Sequence, residues 1–87
     1  MTRAADWTDH GDRLTRSFRF HTFAEAMGFM MEVALYCEKA DHHPDWRNVY
    51  NRIDVTLTTH DTGGVTDRDL ALAAHMDGVF GRYGALK

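Results

Sequence analysis

Two short segments concentrate the side chains able to move protons or bind a metal. His42 and His43 stand between Asp41 and Pro44, and His60 is followed directly by Asp61. Histidine is rarely required for packing, and an unperturbed pKa near ~6.5 lets its ring give or take a proton at neutral pH. Pro44 cannot continue a helix and pushes His43 into extended backbone, so the paired histidines belong to an ordered connection. Three readings fit. A solvated polar turn needs no function at all. Three imidazoles with neighbouring carboxylates could ligate zinc, but adjacent residues of an extended segment point to opposite sides, and no cysteine or His-x-x-x-His spacing completes a tetrahedral set. General acid–base catalysis needs only two imidazoles facing one substrate. The residues by themselves leave all three open.

The elements that must position these side chains follow from periodicity. Leu14, Arg16, Phe18 and Phe20 alternate with Thr15, Ser17 and Arg19, giving an apolar strand face with one charged exception. With Trp7 and the turn-like stretch 8–13 ahead of it, this run predicts a β-hairpin within residues 1–21. Thr22-Phe23-Ala24-Glu25 is a capping-box signature, in which the Thr22 hydroxyl accepts from the Glu25 amide and the Glu25 carboxylate from the Thr22 amide. The helix it opens, 22–39, has apolar residues at Phe23, Met27, Met30, Ala34 and Cys37, and a second set at Phe29, Met31, Val33, Leu35 and Tyr36. So narrow a polar stripe predicts one face on the sheet and another against a partner. Gly28, costing on the order of 1 kcal/mol in helix propensity, fits the close approach of a second helix.

Beyond Pro44, Trp46–Tyr50 and Ile53–His60 predict a second hairpin joined at Asn51-Arg52, or one long strand bent at Asn51. Asp61–Val65 reads as a loop. Thr66-Asp67-Arg68-Asp69 opens a last helix with two carboxylates in its positive first turn. Leu70, Ala73, Ala74, Asp77 and Phe80 neighbour one another along it, and Gly81–Gly84 ends it. His10, His21 and His75 read as polar surface or cap residues, Trp46 as a core or hairpin residue, and Cys37 as inert.

At 87 residues and 10.0 kDa, 44% hydrophobic and 26% charged, the chain is one globular domain, residues 1–87. Its core is small, which favours self-association. Ten Lys and Arg, scattered against thirteen Asp and Glu, give a net charge of −3 and argue against direct nucleic-acid binding. No stretch approaches the ~20 apolar residues of a membrane span, and the N-terminus lacks the apolar core of a signal peptide. A lone cysteine fits a reducing compartment, so a cytoplasmic location is expected.

The run Glu38-Lys39-Ala40-Asp41-His42-His43-Pro44-Asp45-Trp46-Arg47-Asn48-Val49-Tyr50-Asn51 is followed, at a set spacing, by Val55-Thr56-Leu57-Thr58-Thr59-His60-Asp61 and Gly64-Val65-Thr66-Asp67-Arg68-Asp69. This pattern resembles the pterin-4a-carbinolamine dehydratase family. The likeness extends upstream through Leu14-x-Arg16-x-Phe18-x-Phe20 and Phe23-x-Glu25-Ala26-x-x-Phe29-Met30. It implies an α+β two-layer sandwich, a four-stranded antiparallel sheet of two hairpins with helices on one face. Family members have a helix ahead of the tryptophan that Trp7 matches; only six residues precede it here, so that helix is expected to be absent.

The resemblance also implies a reaction, the dehydration of a 4a-hydroxytetrahydropterin to quinonoid dihydropterin, with no metal and no organic cofactor. His42 and His60 are implied as the acid and base, in an order the sequence leaves open, and His43 as a holder of substrate. Asp41, Thr58, Thr59 and Asp61 complete the implied substrate-binding set, although Asp41 could equally cap the helix end or orient His42, and the threonines suit any strand. A homodimer or homotetramer through helix 22–39 is expected, its contact drawing on Met27, Phe29, Met31 and Leu35. Some members of the family double as dimerisation cofactors of a transcription factor, so a non-enzymatic interaction module is the alternative.

Overall fold

Alternation along four segments becomes a sheet with one apolar and one polar face. The computed structural model describes residues 6–83. Strands β1 (Thr8–Asp9), β2 (Leu14–Arg19), β3 (Asp45–Val49) and β4 (Arg52–Leu57) lie in the order β1-β2-β4-β3, with every neighbouring pair antiparallel. Helix α1 (Phe23–Ala40) connects β2 to β3, and α2 (Asp67–Gly81) follows β4. Register pairs Leu14 with Leu57, Arg16 with Val55 and Phe18 with Ile53 on the inner face. The outer face pairs Thr15 with Thr56, Ser17 with Asp54 and Arg19 with Arg52. Both helices cover the apolar side, because only there does packing remove carbon from water. No helix among the described residues is long and apolar enough to cross a membrane.

The second hairpin forms, and the single bent strand does not. Its turn is Tyr50-Asn51, one residue earlier than expected, with Tyr50 in the left-handed region at φ 52°. Asn51 fixes the turn against the first hairpin: its side-chain amide donates to the Phe20 carbonyl at 2.7 Å, and the Phe20 amide donates to the Asn51 carbonyl at 2.9 Å. β4 stops at Leu57, short of the expected His60.

Helix α1 begins as its cap dictates, with the Thr22 hydroxyl accepting from the Glu25 amide. The Glu25 carboxylate, however, reaches one residue further back than expected and accepts from the His21 amide. The buried face is Ala26, Phe29, Val33 and Cys37, which cuts across both apolar sets read from the sequence. Phe29 therefore belongs to the core and not to a partner contact. Phe23, Met27, Met31 and Leu35 remain exposed, at 47, 37, 67 and 69%. Gly28 makes room for a side chain and not for a second helix: a Cβ there would lie 2.8 Å from the hydroxyl of Tyr83, just past the end of α2.

In α2 the buried stripe is Asp69, Leu72, Ala73, Met76, Val79 and Phe80. Ala74 instead faces solvent, and Leu70 is only half-buried. His75 differs too, since its ring is half-buried and stacks on Tyr36 at 4.1 Å. Phe18, Phe20, Phe29 and Phe80 form one aromatic cluster with centroids 4.9–5.3 Å apart.

Arg16, the charged exception on the apolar face, lies over the rings of Phe18 and Phe80 and donates to Asp77 Oδ1 at 2.6 Å. Trp7 Nε1 donates to the same oxygen at 2.9 Å. One carboxylate thus satisfies two partly buried donors. Asp77→Ala should cost about 1–3 kcal/mol by stranding both, whereas Arg16→Met, which keeps an apolar stem over the rings and leaves Trp7 paired, should cost about 1 kcal/mol or less. Urea midpoints of the two variants check this order, and the reverse order would refute it.

Candidate active site

The chemistry-bearing segments meet where α1 ends, β4 ends and α2 begins. Helix α1 terminates at Asp41, a non-glycine residue in the left-handed conformation (φ 54°, ψ 44°), and the Cys37 carbonyl accepts from the amides of both Asp41 and His42. Aspartate tolerates this conformation better than most residues. Arg68, in the first turn of α2, donates its guanidinium to the Asp41 carbonyl. The reversal at Asp41 and the extended backbone imposed by Pro44 send the paired histidines apart: His42 is buried, His43 exposed with Nε2 3.8 Å from Glu38. Among the described residues no group of three or more His, Cys, Asp or Glu side chains is placed to hold a metal ion.

After β4, the chain folds into a tight turn. The Thr59 amide donates to the Gly64 carbonyl at 2.9 Å, and the Thr59 carbonyl accepts from Gly63, itself at φ 68°. His60 and Asp61 sit exposed at the tip of this turn. Thr58 anchors it to the first hairpin by donating from Oγ1 to the Asp12 carbonyl at 2.8 Å.

Asp69 joins the pieces. Its side chain is fully buried, with Oδ1 2.6 Å from His42 Nε2 and Oδ2 accepting from the Thr59 hydroxyl at 2.7 Å and the Thr66 amide at 2.9 Å. Thr66 is the N-cap of α2, and its hydroxyl lies 2.7 Å from that of Thr59. Burial alone would push the Asp69 carboxyl up. The hydrogen bonds of His42, Thr66 and Thr59, with the electrostatic attraction of His42, outweigh it and hold the group below its ordinary value. Asp69 is therefore an anion at neutral pH.

Asp41, His42, His43, Thr58, Thr59, His60 and Asp61, the seven residues expected to form a site, all line one open cleft of about 440 Å³. Pro44, Asp45 and Arg68 complete its wall. A larger hollow, about 530 Å³, lies on the polar side of the sheet around Thr15, Ser17 and Asp54, with no histidine in its lining. The Thr59 hydroxyl is turned to Asp69, so this residue shapes the wall from behind. Sequence reasoning missed Asp69 and Arg68 as parts of the site. Asp69 stands in the family-like pattern, but its spacing Thr66-x-x-Asp69 is fully explained by helix capping.

A carboxyl held below its ordinary value binds a proton less readily folded than unfolded, so its contribution is full above the ordinary 3.8 and lost as pH falls through the lower folded value. Asp69→Ala should therefore cost about 3 kcal/mol near neutrality. The gap to the unaltered protein should narrow below that ordinary value, as denaturant midpoints at several pH values would show. A gap independent of pH would refute the assignment.

The chain matches the family model for Pterin 4 alpha carbinolamine dehydratase over residues 1–79. A provisionally named pterin-4-alpha-carbinolamine dehydratase of Rhodopseudomonas palustris is 60% identical over 73 residues, 84% of this chain and 72% of that protein. A relative of the same name from Afipia carboxidovorans is 55% identical over 76 residues, 87% and 76% of the two chains. Among solved structures, the transcriptional coactivator/pterin dehydratase from Brucella melitensis has a TM-score of 0.85 at 49% identity, covering 87% of this chain and 83% of that one. A pterin dehydratase-like protein identified as a RuBisCO assembly factor in the alpha-carboxysome has a TM-score of 0.75 at 23% identity over 87% and 90% of the chains, a likeness of fold alone. The four-stranded antiparallel sheet backed by two helices is the architecture this likeness requires, and the chain belongs to the pterin-4a-carbinolamine dehydratase family of hydro-lyases.

Proposed function

We propose that the cleft dehydrates a 4a-hydroxytetrahydropterin to quinonoid dihydropterin, returning an oxidised pterin toward its reduced cofactor form, with His42 and His60 as the acid–base pair and His43 holding substrate. The observation that carries this reading is the convergence of His42 and His60, from segments on either side of the second hairpin, on one cleft. Forming the C4a=N5 double bond requires hydroxide, a poor leaving group, to depart with a proton while N5 gives its proton up. One acid and one base meet that need. A pterin edge, with N–H donors beside a carbonyl, finds carboxylate acceptors in Asp41 and Asp61 and backbone partners between them. No metal enters the scheme, since His42 is turned inward to Asp69 while His43 faces out. Cys37 is buried, which pushes its thiol up and leaves it unreactive, in keeping with a cytoplasmic enzyme.

The exposed stripe Phe23, Met27, Met31 and Leu35 favours assembly. We assign it to contacts between copies of α1 in a homodimer or homotetramer, because a small domain rarely leaves such a row wet. A pure interaction module would need this stripe as well, but it would have no use for three histidines lining one cleft.

His60→Ala should lower the dehydration rate of chemically generated 4a-hydroxytetrahydropterin about 10²-fold or more without loss of stability, since the ring is exposed. His42→Ala would also strand Asp69; His42→Gln, whose amide can still donate to that carboxylate, isolates the chemical loss, again about 10²-fold. His43→Ala should raise KM more than it lowers kcat, and a chelator should change nothing. Full activity in both the His42→Gln and His60→Ala proteins would overturn the mechanism. For assembly, sedimentation should show a species of at least twice the 10.0 kDa chain mass, and Met31→Glu with Leu35→Glu should dissociate it. A monomer at micromolar concentration would refute the interface.

A further inference from the structure

We infer that the polar face of the sheet, the side away from the helices, binds a small phosphorylated polyol of the sugar phosphate class, with Arg19, Arg47 and Arg52 holding the phosphoryl group. The inference is independent of the dehydratase reading, since none of these arginines lines the histidine cleft. Outward-facing side chains form three rows across the strands. Thr15, Thr56 and Asp45 make the first, Ser17, Asp54 and Arg47 the second, and Arg19, Arg52 and Val49 the third. Thr8 extends the first row on β1. Charge is thus sorted along the strands, with hydroxyls and carboxylates toward one end and guanidinium groups toward the other.

The basic end is under-compensated. Arg19 and Arg52 are direct cross-strand partners, which sets like charges on Cβ atoms about 5 Å apart and destabilises the pairing. An anion between them reverses that sign. Arg19 and Arg47 are exposed and make no hydrogen bond or ion pair with the described residues. Arg52 Nε lies 3.3 Å from Asp54 Oδ1, but that oxygen already accepts from the Ser17 hydroxyl at 2.7 Å, and the Nε is left buried without a hydrogen bond. Three guanidinium groups therefore share one carboxylate, and their planar forks match the paired oxygens of a phosphoryl group.

The hollow of about 530 Å³ beside the arginines receives the rest of the ligand. Thr8, Thr15, Ser17 and Thr56 bring hydroxyls to its lining, and Asp6 and Asp54 bring carboxylates. Such a wall repels an anion but both accepts from and donates to the hydroxyl groups of a polyol. One row, two residues or about 7 Å along the strand, separates Ser17 and Asp54 from Arg19 and Arg52, a span that one sugar phosphate covers. A nucleic-acid strand fits less well, because its next phosphates would fall against Asp54 and Asp6.

Ribose 5-phosphate is the probe, with inorganic phosphate and ribose as its two halves, each titrated into the full chain at constant ionic strength. In ¹H–¹⁵N spectra, ribose 5-phosphate should shift the side-chain Nε–H signals of Arg19, Arg47 and Arg52 and the backbone amides of Ser17 and Asp54. Half-saturation is expected at about one tenth of the concentration that phosphate needs, with ribose weaker still. Arg19→Gln with Arg47→Gln, both at exposed positions, should weaken the effect about tenfold or more without lowering the melting temperature. Shifts of equal size in sodium chloride at the same ionic strength overturn the inference, as do shifts that persist in the double variant. Equal half-saturation by phosphate and ribose 5-phosphate also overturns it, because the hollow then contributes nothing. A single-stranded RNA that moves the same signals at a lower nucleotide concentration than ribose 5-phosphate overturns the small-ligand assignment in favour of nucleic acid.

Discussion

A charge with no solvent contact is tolerated only if both of its oxygens are hydrogen-bonded, and Asp69 meets that condition with groups from three separate segments. His42 comes from the end of α1, Thr59 from the turn after β4, and Thr66 from the cap of α2. Removing any one of them leaves the others with an under-satisfied anion, at a cost set by desolvation rather than by one hydrogen bond. The same bonds that start α2 therefore fix how far the His42 segment stands from the Thr59 turn. Fold and site share one set of interactions at this point, so the cleft is built to a fixed geometry before substrate arrives.

The divergence of His42 and His43 follows from a second constraint, the left-handed Asp41. A glycine would adopt that conformation without strain, but it would remove a carboxylate from the cleft. The chain keeps aspartate and supports it, with the Cys37 carbonyl accepting two amides and Arg68 bound to the Asp41 carbonyl. Pro44 then carries the chain into β3 in extended form. One histidine is left against the protein interior and its neighbour in solvent, which suits two different tasks for two identical side chains.

Much of this was legible in the sequence, and the failures have physical causes. Both hairpins and both helix starts announce themselves, because alternation and caps are local signals. The seven residues of the cleft could be named through their resemblance to a family; spacing alone would not have joined His42 to His60. The rotation of α1 was not legible. With apolar side chains on nearly all sides, periodicity cannot say that Phe29 and Val33 face the sheet while Met31 and Leu35 do not; that choice is made by the aromatic cluster of Phe18, Phe20 and Phe80. Asp69 was hidden for a different reason. A Thr-x-x-Asp cap looks the same whether or not its carboxylate has a spare oxygen pointed at a histidine 27 residues away. His75 was misread similarly, since its stacking partner Tyr36 lies on the other helix.

The two helix ends at the cleft act with opposite polarity. The first turn of α2 presents unsatisfied amides and partial positive charge, and there the fold buries the anion Asp69. The last turn of α1 presents carbonyls and partial negative charge, and the cation Arg68 lies just beyond it on the Asp41 carbonyl. Arg68 and Asp69 are adjacent in sequence, so one dipeptide serves both dipoles and locks the two helix ends to each other. That lock lies far along α1 from Phe23 and Met27, at the start of the exposed apolar stripe. The cleft end is thus held by charges and hydrogen bonds within one chain, while the exposed stripe along the rest of α1 is left to apolar contact. The geometry of the histidines therefore depends on interactions internal to one chain, and any association along the stripe adds stability without having to shape the site.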